Sequence, residues 1–304
     1  MGGPGSEPAW SAVIVNYHSG PDLAACIDSL RADDRAGLVQ VVVVDNGSAP
    51  GEMDALRASW PEVTVLCPGA NLGYARAANL GIAATRSRIV AVVNPDAVVE
   101  AGAGAVMAAR FAGDEGIGVI GPMISNPDGT VYPSARSAPG LGVAVGHALF
   151  GSLRPRNRFT RSYRQLDADP AVAREVDWVS GAAVWFRRSA LDRAGGWDER
   201  FFMFMEDVDV CRSIRATGAT VWYEPAARVV HAVGTSRASA PTRSIVMHHR
   251  AAYRYTDKWS TSPRRWILPA AGVFLAGRAG VQIISSVVDR RWSRRRPDLR
   301  ASTR

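Results

Sequence analysis

Three short runs of β-branched and other apolar residues, each closed by polar turn formers, constrain the fold of this chain more than any other feature. They are Ser11-Ala12-Val13-Ile14-Val15 closing in Asn16-Tyr17, Val39-Gln40-Val41-Val42-Val43-Val44 closing in Asp45-Asn46-Gly47-Ser48, and Ile89-Val90-Ala91-Val92-Val93 closing in Asn94-Pro95-Asp96. Each is too short for a helix and too evenly apolar for a strand with one wet face, so each predicts a strand covered on both sides. Amphipathic stretches lie between them. Pro21-Asp22 opens one with Leu23, Cys26, Ile27 and Leu30 on a single face, and Gly73 to Thr85 reads as another. Val63 to Leu66 and Gly116 to Gly121 add two more strands. The alternation implies an α/β fold with a mostly parallel sheet, in which ligands bind beyond the carboxyl ends of the strands. The polar closures would share that rim, either as ligand groups or simply as turn formers.

The second half is less regular. Asn126-Pro127-Asp128-Gly129 predicts a tight turn before Val131-Tyr132-Pro133, and residues 138–170, rich in Gly, Pro, Arg and aromatics, read as a long irregular excursion. Val176 to Phe186 reads as one strand with Gly181 for close approach, and Val221-Trp222-Tyr223 and Arg228-Val229-Val230-His231 follow. Between them, Phe201 to Met205 are five large apolar residues directly before Glu206, Asp207 and Asp209. Two readings stand open. The acids are a protected carboxylate cluster in a cleft, or they favour the first turn of a helix that Gly218 ends.

Charge divides the chain. Between Arg243 and Arg304 stand 14 Arg and Lys against 3 Asp, so this stretch carries +11 while the whole chain carries +8. Such a tail predicts an anionic surface as partner, lipid headgroups or nucleic acid. Within it, Trp266 to Val288 is mostly apolar, broken by Pro269, Arg278 and Gln282 and flanked by arginines. A span needs about 20 apolar residues, and a central arginine costs roughly 2.5–3.5 kcal/mol on insertion. The expectation is a helix or hairpin lying in the membrane interface, with Trp266 and Trp292 at headgroup depth. The opening residues have neither a basic region nor an apolar core, so residues 1–9 are read as disordered and the main body as cytosolic. Cys26, Cys67 and Cys211 lie far apart, which predicts free thiols in a reducing compartment.

The first strand is followed by Asn16-Tyr17-His18-Ser19-Gly20 rather than by a G-x-G-x-x-G loop, which argues against a nicotinamide dehydrogenase. The sole lysine is Lys258, so a Walker lysine is absent as well. A diphosphate would have to be neutralised by a divalent metal on hard oxygen ligands, with Asp96 the natural candidate.

Taken in order, Val13 to Tyr17, Val44-Asp45-Asn46-Gly47-Ser48, Asn71-Leu72-Gly73-Tyr74 with Asn79, Asn94-Pro95-Asp96, Ser180-Gly181-Ala182, Gly195 to Phe202 and Glu206 to Asp209 resemble the family 2 glycosyltransferases of GT-A fold. Val131 to Arg136 and Phe201 to Asp209 favour the subgroup of rhamnosyltransferases acting on N-acetylglucosaminyl-diphospho-polyprenol in mycobacterial-type cell-wall linker synthesis. The resemblance covers roughly residues 10 to 255. It implies a GT-A catalytic domain over 10–242, with a nucleotide-sugar half (10–125) and an acceptor and catalytic half (126–242), and a basic, amphipathic helical tail over 243–304 that associates with the membrane.

The resemblance also assigns residues. Asp45, with Asn16 and Asn46 beside it, would meet the nucleotide base, and Gly73 and Asn79 the nucleotide sugar. Arg76 would meet a phosphate, or is a solvated helix arginine. Asn94-Pro95-Asp96 stands where the family has Asp-x-Asp, so Asn94 and Asp96 would meet the nucleotide sugar, one carboxylate being replaced by an amide that can still offer an oxygen, and Asp96 with His231 would hold Mn2+ or Mg2+. His231 is open to a second reading as a packed strand-end residue. Asp207 matches the catalytic base of an inverting transfer, beside Glu206 as an acceptor-sugar ligand. Asp209 is given a structural role. Trp178, Ser180, Gly181 and Trp197 would line the acceptor side, the tryptophans being equally readable as core. The implied donor is dTDP-L-rhamnose and the implied acceptor GlcNAc-diphospho-polyprenol, at the cytoplasmic face of the membrane, with a homo-oligomer open. Another nucleotide sugar or lipid-linked glycan is the near alternative. A non-catalytic protein with its tail on nucleic acid is disfavoured, since no nucleic-acid motif accompanies the arginines.

Overall fold

The computed structural model describes residues 10–32, 37–49, 51–138, 157–232, 241–261 and 264–295. The 1–9 segment, much of the 138–170 excursion and the basic end beyond Arg295 lie outside them, as do the surroundings of the Trp292 side chain. The chain divides into two compact units, Met1–Arg200 with Glu206–Val233, and Phe201–Met205 with Gly234–Arg304.

The larger unit is built on a ten-stranded sheet. Its main path runs β3 (Thr64–Leu66), β2 (Leu38–Asp45), β1 (Trp10–Asn16), β4 (Ile89–Val93), β11 (Ala183–Arg187), β6 (Ile117–Ser125), β12 (Thr220–His231) and β5 (Ala97–Val99). β1, β2, β3 and β4 are parallel, as the apolar runs imply. β11 then enters antiparallel between β4 and β6. A strand covered on both faces reads as continuously apolar in either direction, so the pattern reveals burial and not polarity. The residues from Val176 to Phe186 form two strands rather than one. Trp178–Val179 (β10) pairs with Ala135–Arg136 (β8) in a separate two-stranded sheet, and the chain joins the main sheet only after Gly181. A short helix, Arg158–Tyr163, stands in the described part of the excursion, capped by Asn157, whose side chain accepts from the Phe159 and Thr160 N–H groups.

Register delivers the polar strand ends to one rim. Asn16 stands opposite Asp45, and Ile14 opposite Val93, so Asn94 begins where β1 ends. Antiparallel β11 starts at the same rim, with Ala183 opposite Val93. β12 brings His231 opposite Ala97, next to Asp96. The helix Tyr74–Ala83 lies directly on the sheet at Gly81, where a Cβ would stand 2.3 Å from Val13 Cγ1 and 2.9 Å from Val44 Cγ2. That close approach fixes the helix so that its first residue, Tyr74, meets the rim. The core beneath holds Ile14, Ile27, Leu30, Met107, Phe111 and Trp185. Burying side chains of this size stabilises by about 1.5–3 kcal/mol each.

The smaller unit contains the helices Pro241–Trp259 and Leu268–Arg295, joined through the turn Arg264–Ile267. Gly272 lets them close: a Cβ there would lie 3.3 Å from the Tyr253 ring. Arg278 donates to His249 Nε2 at 3.0 Å, while His249 Nδ1 lies 2.8 Å from the Ile245 carbonyl, so the central arginine of the apolar run is partnered. Arg265–Val287 runs for 23 residues and holds an 18-residue window of mean hydropathy 1.6, long and apolar enough to cross a membrane. Val273, Val281, Ile284 and Val287 are exposed and recur at helical spacing, so they form one bare stripe. That stripe is apolar rather than basic.

Candidate active site

The nucleotide-side residues hold one another. Asn16 Nδ2 donates to Asp45 Oδ1 (3.1 Å) and to Ser48 Oγ (3.0 Å), and the Ser48 N–H donates to Asp45 Oδ2 (3.2 Å). Asn16 is fully buried, and its Oδ1 meets no donor among the described residues. Asn46 Oδ1 accepts from the Leu72 N–H at 2.7 Å, and its Nδ2 donates to Asn71 Oδ1 at 3.1 Å, which also takes the Gly73 N–H at 3.0 Å. Asn46 is thus a buried clamp on the loop 71–73, not a group turned outward.

Beside them, His231 Nε2 lies 3.0 Å from Asp96 Oδ1 and 3.4 Å from Asn94 Nδ2, with His231 and Asp96 side chains only 11% and 14% exposed. The Tyr74 hydroxyl lies 3.1 Å from Asn94 Oδ1 and 3.3 Å from the Gly181 carbonyl. The amide that replaces the family's first carboxylate therefore gives its oxygen to Tyr74 and turns its nitrogen to His231. This corrects the expectation of Asn94 as an oxygen donor outward, and leaves Asp96 and His231 as the pair. Among the described residues no group of three His, Cys, Asp or Glu is placed to hold a metal.

Asp207 stands in the first turn of the helix Glu206–Ala216, which follows two residues, Phe204 and Met205, with left-handed φ of 72° and 67°. Its Oδ2 accepts from the Gly181 N–H at 3.1 Å and its Oδ1 from the Val208 N–H at 2.8 Å. A Cβ at Gly181 would come within 3.1 Å of Asp207 Cβ, so this glycine is needed for close approach. Burial pushes the Asp207 carboxyl above its ordinary value; the N–H groups of Gly181 and Val208 and the Arg136 cation pull the other way without cancelling it. Tyr74 is pushed well up too, first by burial and then by the fields of Glu206, Asp207 and Asp96. Glu206 is half-buried, Asp209 is buried, and Ser180 is half-buried with Oγ 3.4 Å from the Ala182 N–H.

Three expected contacts turn out otherwise, those of Trp197, Trp178 and Asn79, while Arg76 stays exposed beside Glu199. Trp197 is 1% exposed and packs edge-on against Tyr74 and Phe186, and Trp178 is 4% exposed with its Nε1 donating to the Ser137 carbonyl at 3.0 Å. Neither offers a ring face to a sugar; both are core. Asn79 spends its amide on the Trp197 backbone (2.8 and 3.0 Å) and on Glu199 (3.2 Å), and Arg76 pairs with Glu199 at 3.7 Å. These two tie the helix to the Gly195–Glu199 loop. Tyr74 and Arg136 are the residues that the reading by motif left without a role, although both stand inside motifs it used.

Strand ends that gather acids and amides over one rim, with the half-buried Asp207 carboxylate beside it, stand here on a GT-A-like α/β fold, and the chain belongs to the glycosyltransferase-like family 2, whose model matches residues 8–256. It is 38% identical over 302 residues to the N-acetylglucosaminyl-diphospho-decaprenol L-rhamnosyltransferase of Mycobacterium tuberculosis, covering 93% of this chain and 95% of that relative. The pre-mycofactocin glycosyltransferase of the same organism is 29% identical over 296 residues, 93% of this chain and 57% of the relative. Among solved structures, the mannosyltransferase PcManGT from Pyrobaculum calidifontis superposes with a TM-score of 0.56 at 18% identity, covering 94% of this chain and 76% of that one. GalNAc-T7 superposes with a TM-score of 0.55 at 16% identity, covering 73% and 43%. The chain is a glycosyltransferase.

Proposed function

We propose that this enzyme transfers L-rhamnose from dTDP-L-rhamnose to the N-acetylglucosamine of GlcNAc-diphospho-polyprenol, with Asp207 as the base of a single, inverting displacement. The observation that carries the chemistry is the half-buried Asp207 carboxylate, aimed by two backbone N–H groups beside the strand-end rim. The donor and acceptor follow the printed name of the relative that is 38% identical along nearly its whole length.

In the reaction an acceptor hydroxyl oxygen attacks the anomeric carbon while Asp207 takes its proton. The bond from that carbon to the diphosphate oxygen breaks, and the oxygen keeps the electron pair. A carboxylate raised by burial is the stronger base for this step. Asp45, held by Asn16 and Ser48, faces the nucleotide base. Ser180, Gly181 and Glu206 border the acceptor.

The donor set fits a hard divalent ion. Asp96 Oδ1 and His231 Nε2 lie side by side at the rim, 3.0 Å apart, an oxygen and a nitrogen of the kinds that divalent ions take as ligands. Asp96 and His231 would hold Mn2+ or Mg2+, as the fold neighbours solved with Mn2+ suggest. Such an ion, when bound, supplies charge neutralisation for the departing diphosphate.

The bare stripe on the helix Leu268–Arg295, with arginines before and after it, fits a surface of anionic lipid, where the acceptor resides. Removing residues 263–304 should release the protein from anionic vesicles. Sedimentation of the truncated chain with them would contradict this placement.

The function is tested by offering a panel of radiolabelled nucleotide sugars with a short-chain GlcNAc-diphospho-prenol, with and without chelator. Incorporation from dTDP-rhamnose alone, abolished by chelator and restored by Mn2+ or Mg2+, is expected. Incorporation from another donor would overturn the assignment of sugar, and full activity in excess chelator that of metal.

A further inference from the structure

Arg136 is a half-buried arginine, and what encloses it is aromatic. Its guanidinium carbon lies 4.8 Å from the Trp178 ring centre, 5.4 Å from Tyr132 and 5.8 Å from Tyr163. Nε donates to the Pro133 carbonyl at 2.9 Å, and one terminal nitrogen donates to the Tyr132 hydroxyl. None of these partners carries a charge at neutral pH, yet burying a cation without an opposite charge is costly. Among the described residues no carboxylate forms a direct ion pair with it. The carboxylate whose field reaches it is Asp207.

The strand geometry explains how the two are brought together. Arg136 stands opposite Trp178, and Ala135 opposite Val179, in the small antiparallel sheet of β8 and β10. One residue further, the Ser180 N–H donates to the Ser134 carbonyl at 2.9 Å, and the next N–H, that of Gly181, donates to Asp207 at 3.1 Å. The same pair of strands therefore aims a backbone donor at Asp207 and seats Arg136. The other groups that face Asp207 cannot replace that charge. Tyr74, Tyr163 and Cys211 are each held above their ordinary values first of all by burial and stay neutral, Cys211 being pushed up to about 12, and Glu206 is of like sign.

We propose that Arg136 is a positioning residue for the reaction: caged by Tyr132, Tyr163 and Trp178, it supplies the opposite charge against which the Asp207 carboxylate is held ready to accept the acceptor's proton. The proposal rests on Asp207 being the base. Burial favours the protonated, inactive form of Asp207, and Arg136 opposes it. Removal of the cation must then move the acidic limb of the rate profile to higher pH.

The test is the pH profile of kcat/KM in the full-length enzyme carrying Arg136→Met, Arg136→Lys or Asp207→Asn. Arg136→Met is expected to shift the acidic limb upward by about one pH unit, losing about tenfold on the acidic side of the parent's limb and recovering toward the parent rate on its alkaline side, with donor affinity unchanged. Arg136→Lys keeps the charge and restores most of the limb. If Arg136→Met does not fold, Arg136→Gln removes the charge while keeping donors for Pro133 and Tyr132, and carries the same expectation. An acidic limb that stays in place, with loss uniform across pH or confined to the acceptor KM, overturns the role of Arg136. Asp207→Asn separates the two failures: a dead Asn variant with an unmoved limb sinks only Arg136, whereas a turning-over Asn variant removes the base itself.

Discussion

Asp45 and Asp207 are both carboxylates brought to a strand-end rim, and they are held in contrasting ways. Asp45 sits in a ring of neutral donors, the Asn16 amide and the Ser48 N–H, which are themselves fixed by the strand ends. Asp207 has two backbone donors and the Arg136 cation set against the partial desolvation of its carboxylate, and desolvation prevails. A carboxylate that must accept a hydrogen bond and release it unchanged gains from a saturated polar setting. One that must take a proton gains from a setting in which its charge is incompletely compensated. On the proposed roles of Asp45 and Asp207, the two halves of the rim separate recognition from chemistry.

Substitutions on either side should keep that separation visible. After loss of Asp207 itself, the largest effect is expected where the halves meet. Asp96→Ala or His231→Ala should lower kcat/KM by about 10²–10³, in line with losses from removing charge stabilisation at a leaving group, and raised Mn2+ should rescue them only weakly. Steady-state kinetics across a metal titration would show this, and near-parental rates would break the assignment of the pair. Asp45→Ala comes next. It strands the buried Asn16 amide and the Ser48 N–H, so about 1–3 kcal/mol of stability is lost, and the donor KM rises with kcat much less affected. Thermal melting together with donor-dependent kinetics would check both, and a fall in kcat alone would place Asp45 with the chemistry. Gly181→Ala is the mildest. Its methyl presses on Asp207 Cβ at 3.1 Å, so kcat should fall about tenfold while donor affinity holds.

The contrast itself was only half legible in the sequence. Apolar runs ending in Asn16, Asp45 and Asn94 announced both the strands and the rim, because burial on two faces leaves a periodicity and turn residues mark its end. Polarity of the strands left no such trace, and the antiparallel insertion of β11 emerges only from pairing. Trp178 and Trp197 carried no mark separating a stacking ring from a core ring; their burial decides it. Arg136 and Tyr74 were hidden for the opposite reason. Their partners, Trp178 and Tyr163 for one and Asn94 and Gly181 for the other, come from distant segments that only the folded chain assembles.

The measurement that bears most directly on the division of the rim is a paired one on Asp207→Asn: the dissociation constant for dTDP-rhamnose by calorimetry, and transfer to GlcNAc-diphospho-prenol under the same conditions. The expected result is a dissociation constant within about threefold of the parent and turnover lower by 10³ or more, the scale of losing an essential proton acceptor. Turnover that persists, or donor binding that collapses together with turnover, would contradict the separation of recognition at Asp45 from chemistry at Asp207.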